Sequence, residues 1–297
     1  MKNTRRDFLR KSLGASAAML AVGPGCEVFP GKSSSGSRMQ LGLVTYLWGK
    51  DWDLPTVIKN CEKSSIFAVE LRSTHAHGVE PTMSATERAE VKKRFADSPV
   101  TFLGPGSNER FDNPDPVVLR QAIQATRGFL QLSHDTGGSG VKVKPDRFYD
   151  GVPREKTVEQ IGKSLNALGE FAADLGQEVR LEVHGQCSPL PVIKQIMDVA
   201  DHPSVAVCWN SNDVDLQGKG LEHNFNLVKG RFGRTAHVRE LNVGEYPYQD
   251  LMNLFVEMDY DGWVCLECRT APTDRLAALI EQREIFEEMV NWARKSK

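Results

Sequence analysis

From residue 40 onward the chain alternates between two rhythms. Short runs change from apolar to polar at every second position, and longer stretches carry apolar residues three and four apart. The β-like runs are LGLVTYLWG (41–49), FAVELRST (67–74), VTFLGPG (100–106), GVKVKP (140–145), VRLEVHG (179–185), VAVCWNSN (205–212), TAHVREL (235–241) and GWVCLEC (262–268). Between them the longer periodicity predicts helices, among them 84–96, 115–133, 153–175, 191–199, 247–258 and 273–294. Ser84 with Glu87 three residues on, and Asp115 before Pro116, read as helix starts.

Eight strand–helix units over roughly 250 residues have the size and rhythm of a single-domain α/β protein, a (β/α)8 TIM barrel. An open doubly wound sheet would need a glycine-rich turn following a strand. The one candidate, GGSG at 137–140, precedes a strand instead. The expected barrel spans residues 39–297.

In a barrel strand, alternate residues face the helices and the interior. The helix-facing set is apolar: Phe67, Val69 and Leu71; Val141 and Val143; Val179, Leu181 and Val183; Val205, Val207 and Trp209. The other set carries Glu70 and Arg72, Lys142 and Lys144, Glu182 and His184, Asn210 and Asn212, His237 and Arg239, and Glu267. Barrel interiors are usually filled by branched apolar side chains. Charges at the C-terminal ends of so many strands need partners or a ligand, because a lone buried charge is costly. Those ends are also where barrels build active sites. A structural ion-pair network is the competing reading.

Glu182, Asn210, His237 and Glu267 follow one another at intervals of 28, 27 and 30 residues, one strand–helix unit each. Four consecutive strands therefore present two carboxylates, an amide and an imidazole at similar depth. That donor set suits one divalent cation, with Mn, Mg, Co and Zn all acceptable. The absence of thiolate ligands argues against a structural zinc site.

The motifs LEVHG, CWNSN, HVREL and CLEC resemble the ligand strands of the xylose-isomerase-like barrel superfamily, over about residues 40–297. That family includes sugar isomerases and epimerases such as tagatose epimerases, and inosose dehydratases. The resemblance implies metal ligation by Glu182, Asn210, His237 and Glu267, with Glu182 and Glu267 also exchanging the substrate proton. One departure stands out: the family carries Asp on the sixth strand where this chain has Asn210. A neutral ligand lowers metal affinity, leaves three ligands, or brings in Asp213.

The chemistry these groups suit is proton abstraction next to a carbonyl, through a metal-stabilised enediolate. His184, Lys142, Lys144, Arg239 and Glu70 form the remaining substrate-facing set. His75 and His77, in RSTHAHGVE, share a face and are candidate substrate contacts, with a second metal site as the alternative. His134, His202 and His223 read as structural. Tyr46, Trp48, Trp209 and Trp263 are candidates for the wall of a sugar pocket or for ordinary packing.

Composition narrows the partners. The formal net charge is −2 over 297 residues, which supplies no basic footprint for nucleic acid. A small-molecule sugar is the expected partner, and a homo-oligomer is left open. The N-terminal NTRRDFLRKSLGASAAMLAVGPGC resembles a twin-arginine export signal, too short in its apolar run to be a membrane span. It predicts a signal peptide over 1–25, a flexible linker over 26–38 and a periplasmic protein. Cys26 offers a lipid anchor, although Gly23-Pro24-Gly25 is a poor lead-in. Cys265 and Cys268 lie three apart on a strand and so on opposite faces, which favours buried free thiols over a metal or redox pair.

Three functions fit these residues. The first is a metal-dependent sugar isomerase or epimerase. The second is a lyase that eliminates a substituent from a keto-sugar or keto-glycoside by the same enediolate. NVGEYPYQD, after the seventh strand, contains no phosphate cradle, so a phosphosugar is disfavoured in either case. The third is a sugar-binding barrel without chemistry, which Asn210 favours and the retained glutamate pair opposes.

Overall fold

The computed structural model describes residues 38–297. Eight strands, β1 (Gln40–Val44), β2 (Ala68–Arg72), β3 (Thr101–Arg110), β4 (Gly140–Lys144), β5 (Glu178–Glu182), β6 (Val205–Cys208), β7 (Thr235–Val238) and β8 (Trp263–Leu266), alternate with eight helices. The helices are α1 (Leu54–Ser64), α2 (Ala85–Ala96), α3 (Pro116–Thr136), α4 (Arg154–Asp174), α5 (Leu190–Val199), α6 (Leu221–Val228), α7 (Tyr248–Glu257) and α8 (Arg275–Ser296). Neighbouring strands pair in parallel from β6 through β1 to β8 and β7. The ring is joined between β6 and β7 by single bridges, Val207 to Phe232 and Asn210 to His237. The His237 N–H donates to the Trp209 carbonyl at 2.6 Å across that seam. The fold is a (β/α)8 TIM barrel.

Local chemistry explains the helix starts. Ser84 and Glu87 form a reciprocal capping box at α2, while Asp53, Asp115 and Asp274 accept backbone N–H bonds at α1, α3 and α8. The apolar strand faces meet the helices in one continuous core, from Leu43 and Val69 round to Val238 and Leu266. Inside the ring lies a second, small apolar layer of Val44, Ala68, Leu103 and Cys265. The fully buried Arg180 guanidinium sits beside it, bonded to Glu178, the Leu103 carbonyl and the Ser139 hydroxyl.

Strand limits depart from the sequence pattern in an instructive way. Every strand but β3 ends earlier than the pattern predicts, so Asn210 and Glu267 lie just past the ends of β6 and β8. Strands diverge at a barrel mouth, and ladder pairing stops while side-chain alternation continues. β3 instead runs four residues further than expected, to Arg110, despite Pro105. A register shift between Val69 and Glu70 accommodates it. Gly104 sits there at φ 125°, where a Cβ would lie 1.9 Å from the Gly140 carbonyl oxygen. Gly106 likewise makes room for the Glu70 carboxylate, which a Cβ would meet at 2.5 Å.

Phe67 departs from the pattern, whereas Trp209 keeps the helix-facing side assigned to it. Phe67 precedes β2 and is 40% exposed at the lower end of the barrel, outside the helix-facing core. Trp263 begins β8 and so lies at the end opposite the charged mouth. Trp209 is fully buried against Phe225 and Phe232, on the helix side. Neither tryptophan walls a pocket over the site. The five cysteines among the described residues are free and buried. Cys265 lines the lumen and Cys268 the outer core, the opposite faces expected of their spacing. The predicted signal, Cys26 and all of the linker but Arg38 lie outside the described residues. Among those described, no helix is long and apolar enough to cross a membrane.

Candidate metal centre and active site

Register brings the charged residues together. Glu182 pairs with Cys208 across β5 and β6, so Asn210 stands one pleat above, opposite His237. His237 in turn pairs with Cys265, which places Glu267 one pleat above it. Ligand atoms of Glu182, His237 and Glu267 lie within 4.8 Å of one another, and all three residues are buried. The imidazole is oriented from behind. Its Nε2 lies 3.2 Å from a Glu70 carboxylate oxygen, and its Nδ1 faces Glu182 Oε1 at 3.7 Å.

Glu70 is thus a positioning residue. It is 1% exposed and its carboxylate is held against His237, whereas the sequence pattern places it in the substrate-facing set. A carboxylate behind an imidazole is the usual outer support of a metal-binding histidine, because it fixes which ring nitrogen is free.

Asn210 and Lys142 now hold the carboxylates. Asn210 Nδ2 donates to Glu182 Oε1 at 2.6 Å and approaches Glu267 Oε2 at 3.5 Å. Lys142 Nζ forms an ion pair with Glu182 Oε2 at 2.8 Å and donates to the Ser107 carbonyl at 3.2 Å. Burial opposes charge on each of these groups, and their mutual attraction outweighs it. Lys142 and His237 accordingly sit above their ordinary pKa values, and Glu70 and Glu182 below.

Two buried atoms fit a cation. His237 Nδ1 and Asn210 Oδ1 have no hydrogen-bond partner, although buried polar atoms nearly always have one. Ligands on an ion at about 2.1 Å are about 3–4.2 Å apart, and His237 Nδ1 and Glu182 Oε1 lie 3.7 Å apart here. Ligation by Asn210 requires its amide to turn over, so that Oδ1 replaces Nδ2 between the two carboxylates. The donor set fits a divalent ion after that one rotation.

The remaining expected residues ring the mouth. Lys144 is buried and touches Asn108 Oδ1 at 3.2 Å, and Arg72 Nη2 reaches the same oxygen at 3.0 Å. Arg72 also lies over the Tyr46 ring and 3.7 Å from Glu267 Oε1. His184 bonds Asp146 at 2.9 Å. Arg239 bonds Asn212 at 3.1 Å. His77 accepts the Val79 N–H at Nδ1 and meets the Arg72 carbonyl through Nε2, with burial pushing its pKa down to about 4. Both its nitrogens are used by backbone, so no two-histidine metal site forms with His75, and His77 clamps the loop after β2.

Asn108, Asp146 and Glu240 did not emerge from the pattern. The first two lie in SNER and PDRF, which read as turns. Glu240 ties down the loop after β8 by accepting from the Arg269 and Thr270 N–H groups and the Thr270 hydroxyl. Its position in HVREL, one residue off the inward-facing set, was its only signal.

The residues from 58 to 296 match the family model described as xylose isomerase-like TIM barrel. This chain belongs to that family. Its fold is similar to an L-ribulose 3-epimerase, with a TM-score of 0.75 at 13% identity over 87% of this chain and 96% of the other. A zinc-bound IolI protein superposes with a TM-score of 0.72 at 15% identity, over 86% and 99%. The 3-keto-D-glucoside 4-epimerase from E. coli gives 0.69 at 13% identity, again over 86% and 99%. These identities establish a shared fold. Comparison with curated proteins gives no match.

One buried acid beside the site makes a pH prediction. Asp215 Oδ2 accepts from the Asn212 N–H and the Tyr246 hydroxyl, while Oδ1 is buried without a partner. Burial pushes its pKa up to about 7 from an ordinary 3.8. Below pH 4 it is protonated in both folded and unfolded chains and contributes nothing. Between about 4 and 7 only the unfolded chain loses the proton, so this group's contribution to stability falls as pH rises. The Tm difference between Asp215→Asn and the parent is therefore expected to grow in favour of Asn from pH 4 to 7 and then level off. A pH-independent difference would show that Asp215 titrates normally.

Proposed function

We propose that this protein is a divalent-metal-dependent sugar isomerase or epimerase that moves a proton next to a carbonyl. The observation that carries the reading is the buried Glu182, His237 and Glu267 cluster at the barrel mouth, with His237 Nδ1 and Asn210 Oδ1 unpartnered. Membership of the family and the likeness to sugar epimerases and a zinc-bound protein support it. Glu182, His237 and Glu267 would hold the ion, with Asn210 as a fourth, neutral ligand. A divalent ion bound there would supply Lewis acidity to a substrate carbonyl and so acidify the adjacent C–H. Mn, Mg, Co and Zn suit these donors alike.

The protein's own groups divide the proton work. Glu182 is held ionised by Lys142 and His237 and is placed to accept a proton. Glu267 has only longer contacts, to Arg72 and Asn210, and is placed on another strand to return one. Lys142 neutralises charge left near Glu182, and Glu70 keeps the imidazole oriented. His184, Lys144 and Arg239 lie at the mouth where substrate oxygens would arrive. We assign the chain to the periplasm by its double-arginine leader, with residues 39–297 as the working domain.

Deuterium exchange tests this reading. The metal-loaded protein is incubated in D2O with ketoses and 3-keto-glycosides and followed by proton NMR. Loss of the C–H signal beside the carbonyl, with a new isomer or epimer, is the expected result. Loss of a substituent with formation of an unsaturated ketone would instead identify the lyase. Absence of exchange with every substrate and all four metals would leave a binding protein.

A further inference from the structure

The mouth between β2, β3 and β4 contains two cations that converge on one neutral atom. Arg72 Nη2 and Lys144 Nζ lie 3.0 and 3.2 Å from the same oxygen, Asn108 Oδ1. Lys144 is 5% exposed and makes no ion pair among the described residues. Lys142, two residues earlier, differs because Glu182 neutralises it directly. The nearest carboxylate to Arg72, Glu267, is 3.7 Å away and belongs to the candidate metal cluster. The Tyr46 ring under the Arg72 guanidinium, 4.9 Å from its centroid, helps hold that cation in place.

We propose that Lys144 and Arg72 form a subsite for the carboxylate of an acidic sugar, with Asn108 between them as the neutral spacer. The proposal rests on the sugar-enzyme reading above and adds the charge of the substrate. Three considerations lead to it. First, two like charges sharing one amide oxygen repel each other, and burial magnifies that repulsion unless an anion joins them. Second, charge balance in the lumen points the same way. Arg180, deeper in the lumen, is paired with Glu178 at 2.7 Å, and at the mouth Glu70, Glu182 and Glu267 face Arg72, Lys142 and Lys144, so a divalent ion leaves the buried mouth positive. A neutral sugar cannot offset that excess, whereas a sugar acid can. Third, the subsite is correctly placed. Arg72 spans Asn108 and Glu267, so a carboxylate held there leaves the rest of a sugar beside the proton-transfer pair. Burial, and then the Lys142 charge, push Lys144 down to about 8, as expected of an ammonium lacking a counter-charge.

Matched sugars test the subsite. Binding of D-fructuronate and D-fructose, D-tagaturonate and D-tagatose, and D-glucuronate and D-glucose is measured by calorimetry on the full chain loaded with Mn2+. Bound metal is determined in every sample. At least one acid is expected to bind at least about tenfold more tightly than its neutral partner, as charge-assisted hydrogen bonds imply. Lys144→Met should bring that ratio close to one. Asn108→Asp should do the same by placing a resident carboxylate between the two cations, and should also raise Tm. No acid preference in any pair, in protein that holds metal, overturns the proposal. So does a preference that survives both variants, since the metal alone would then be binding the acid. An acid preference that depends on Lys144 in protein that takes up no metal would sustain the subsite while refuting the metalloenzyme.

Discussion

Glu267→Gln is expected to reduce turnover by about 10³-fold while the barrel stays folded. The magnitude is that of removing a positioned proton carrier, roughly 10²–10⁴-fold. The fold should survive because the substitution is isosteric and Glu267 has only long contacts, 3.7 Å to Arg72 and 3.5 Å to Asn210. Glu182→Gln is less clean, since it also strips Lys142 of the carboxylate 2.8 Å away. Initial rates with any substrate found by deuterium exchange, together with thermal melts, check the point. A Glu267→Gln enzyme of near-parental rate would remove Glu267 from the chemistry, whatever its part in holding metal.

The second large effect concerns the ion pair beneath the site. Lys142→Met leaves Glu182 buried without its cation, and Lys142 and Glu182 are each only 1% exposed. Removing one partner from such a pair costs about 3–5 kcal/mol, because the remaining charge can neither ionise cheaply nor reach water. The same variant leaves Glu70, Glu182 and Glu267 with fewer cations about them, so it should bind a divalent ion more tightly than the parent. Ligand binding stabilises the folded state by mass action. Its melt is therefore expected to be strongly depressed in chelator and largely restored by Mn2+ or Zn2+, whereas the parent responds less. Equal metal response in parent and variant would mean that Lys142 and the ion do not compete for the same carboxylates.

Much of the site was legible in the chain because a strand has a period of two. Glu182, His237 and Glu267 fall on the inward face of predicted strands, and unit spacing puts them on neighbouring staves at comparable depth. What the pattern could not supply was register and support. The contact between Lys142 and Glu182 depends on how β4 and β5 align, which no single strand encodes. Glu70 has the same inward parity as Arg72, yet it lies one pleat deeper, with its carboxylate against His237. Asn108 was hidden because GPG read as the end of β3. There Gly104 and Gly106 relieve close contacts with Gly140 and Glu70 and let the strand continue. The pattern leaves the tryptophans between pocket and packing: strand parity puts Trp209 on the helix side, and Trp263 begins β8 at the end away from the mouth.

The central claim is that Glu182, His237 and Glu267 form a divalent-metal site, and metal uptake tests it most directly. The full chain and a Glu182→Gln, Glu267→Gln double variant are stripped with chelator and titrated with Mn, Mg, Co and Zn. Bound metal is then measured by mass spectrometry after dialysis. About one equivalent of at least one of these ions in the parent, lost in the double variant, is the predicted result. A folded parent that retains none of the four, or a variant that retains as much as the parent, would contradict it.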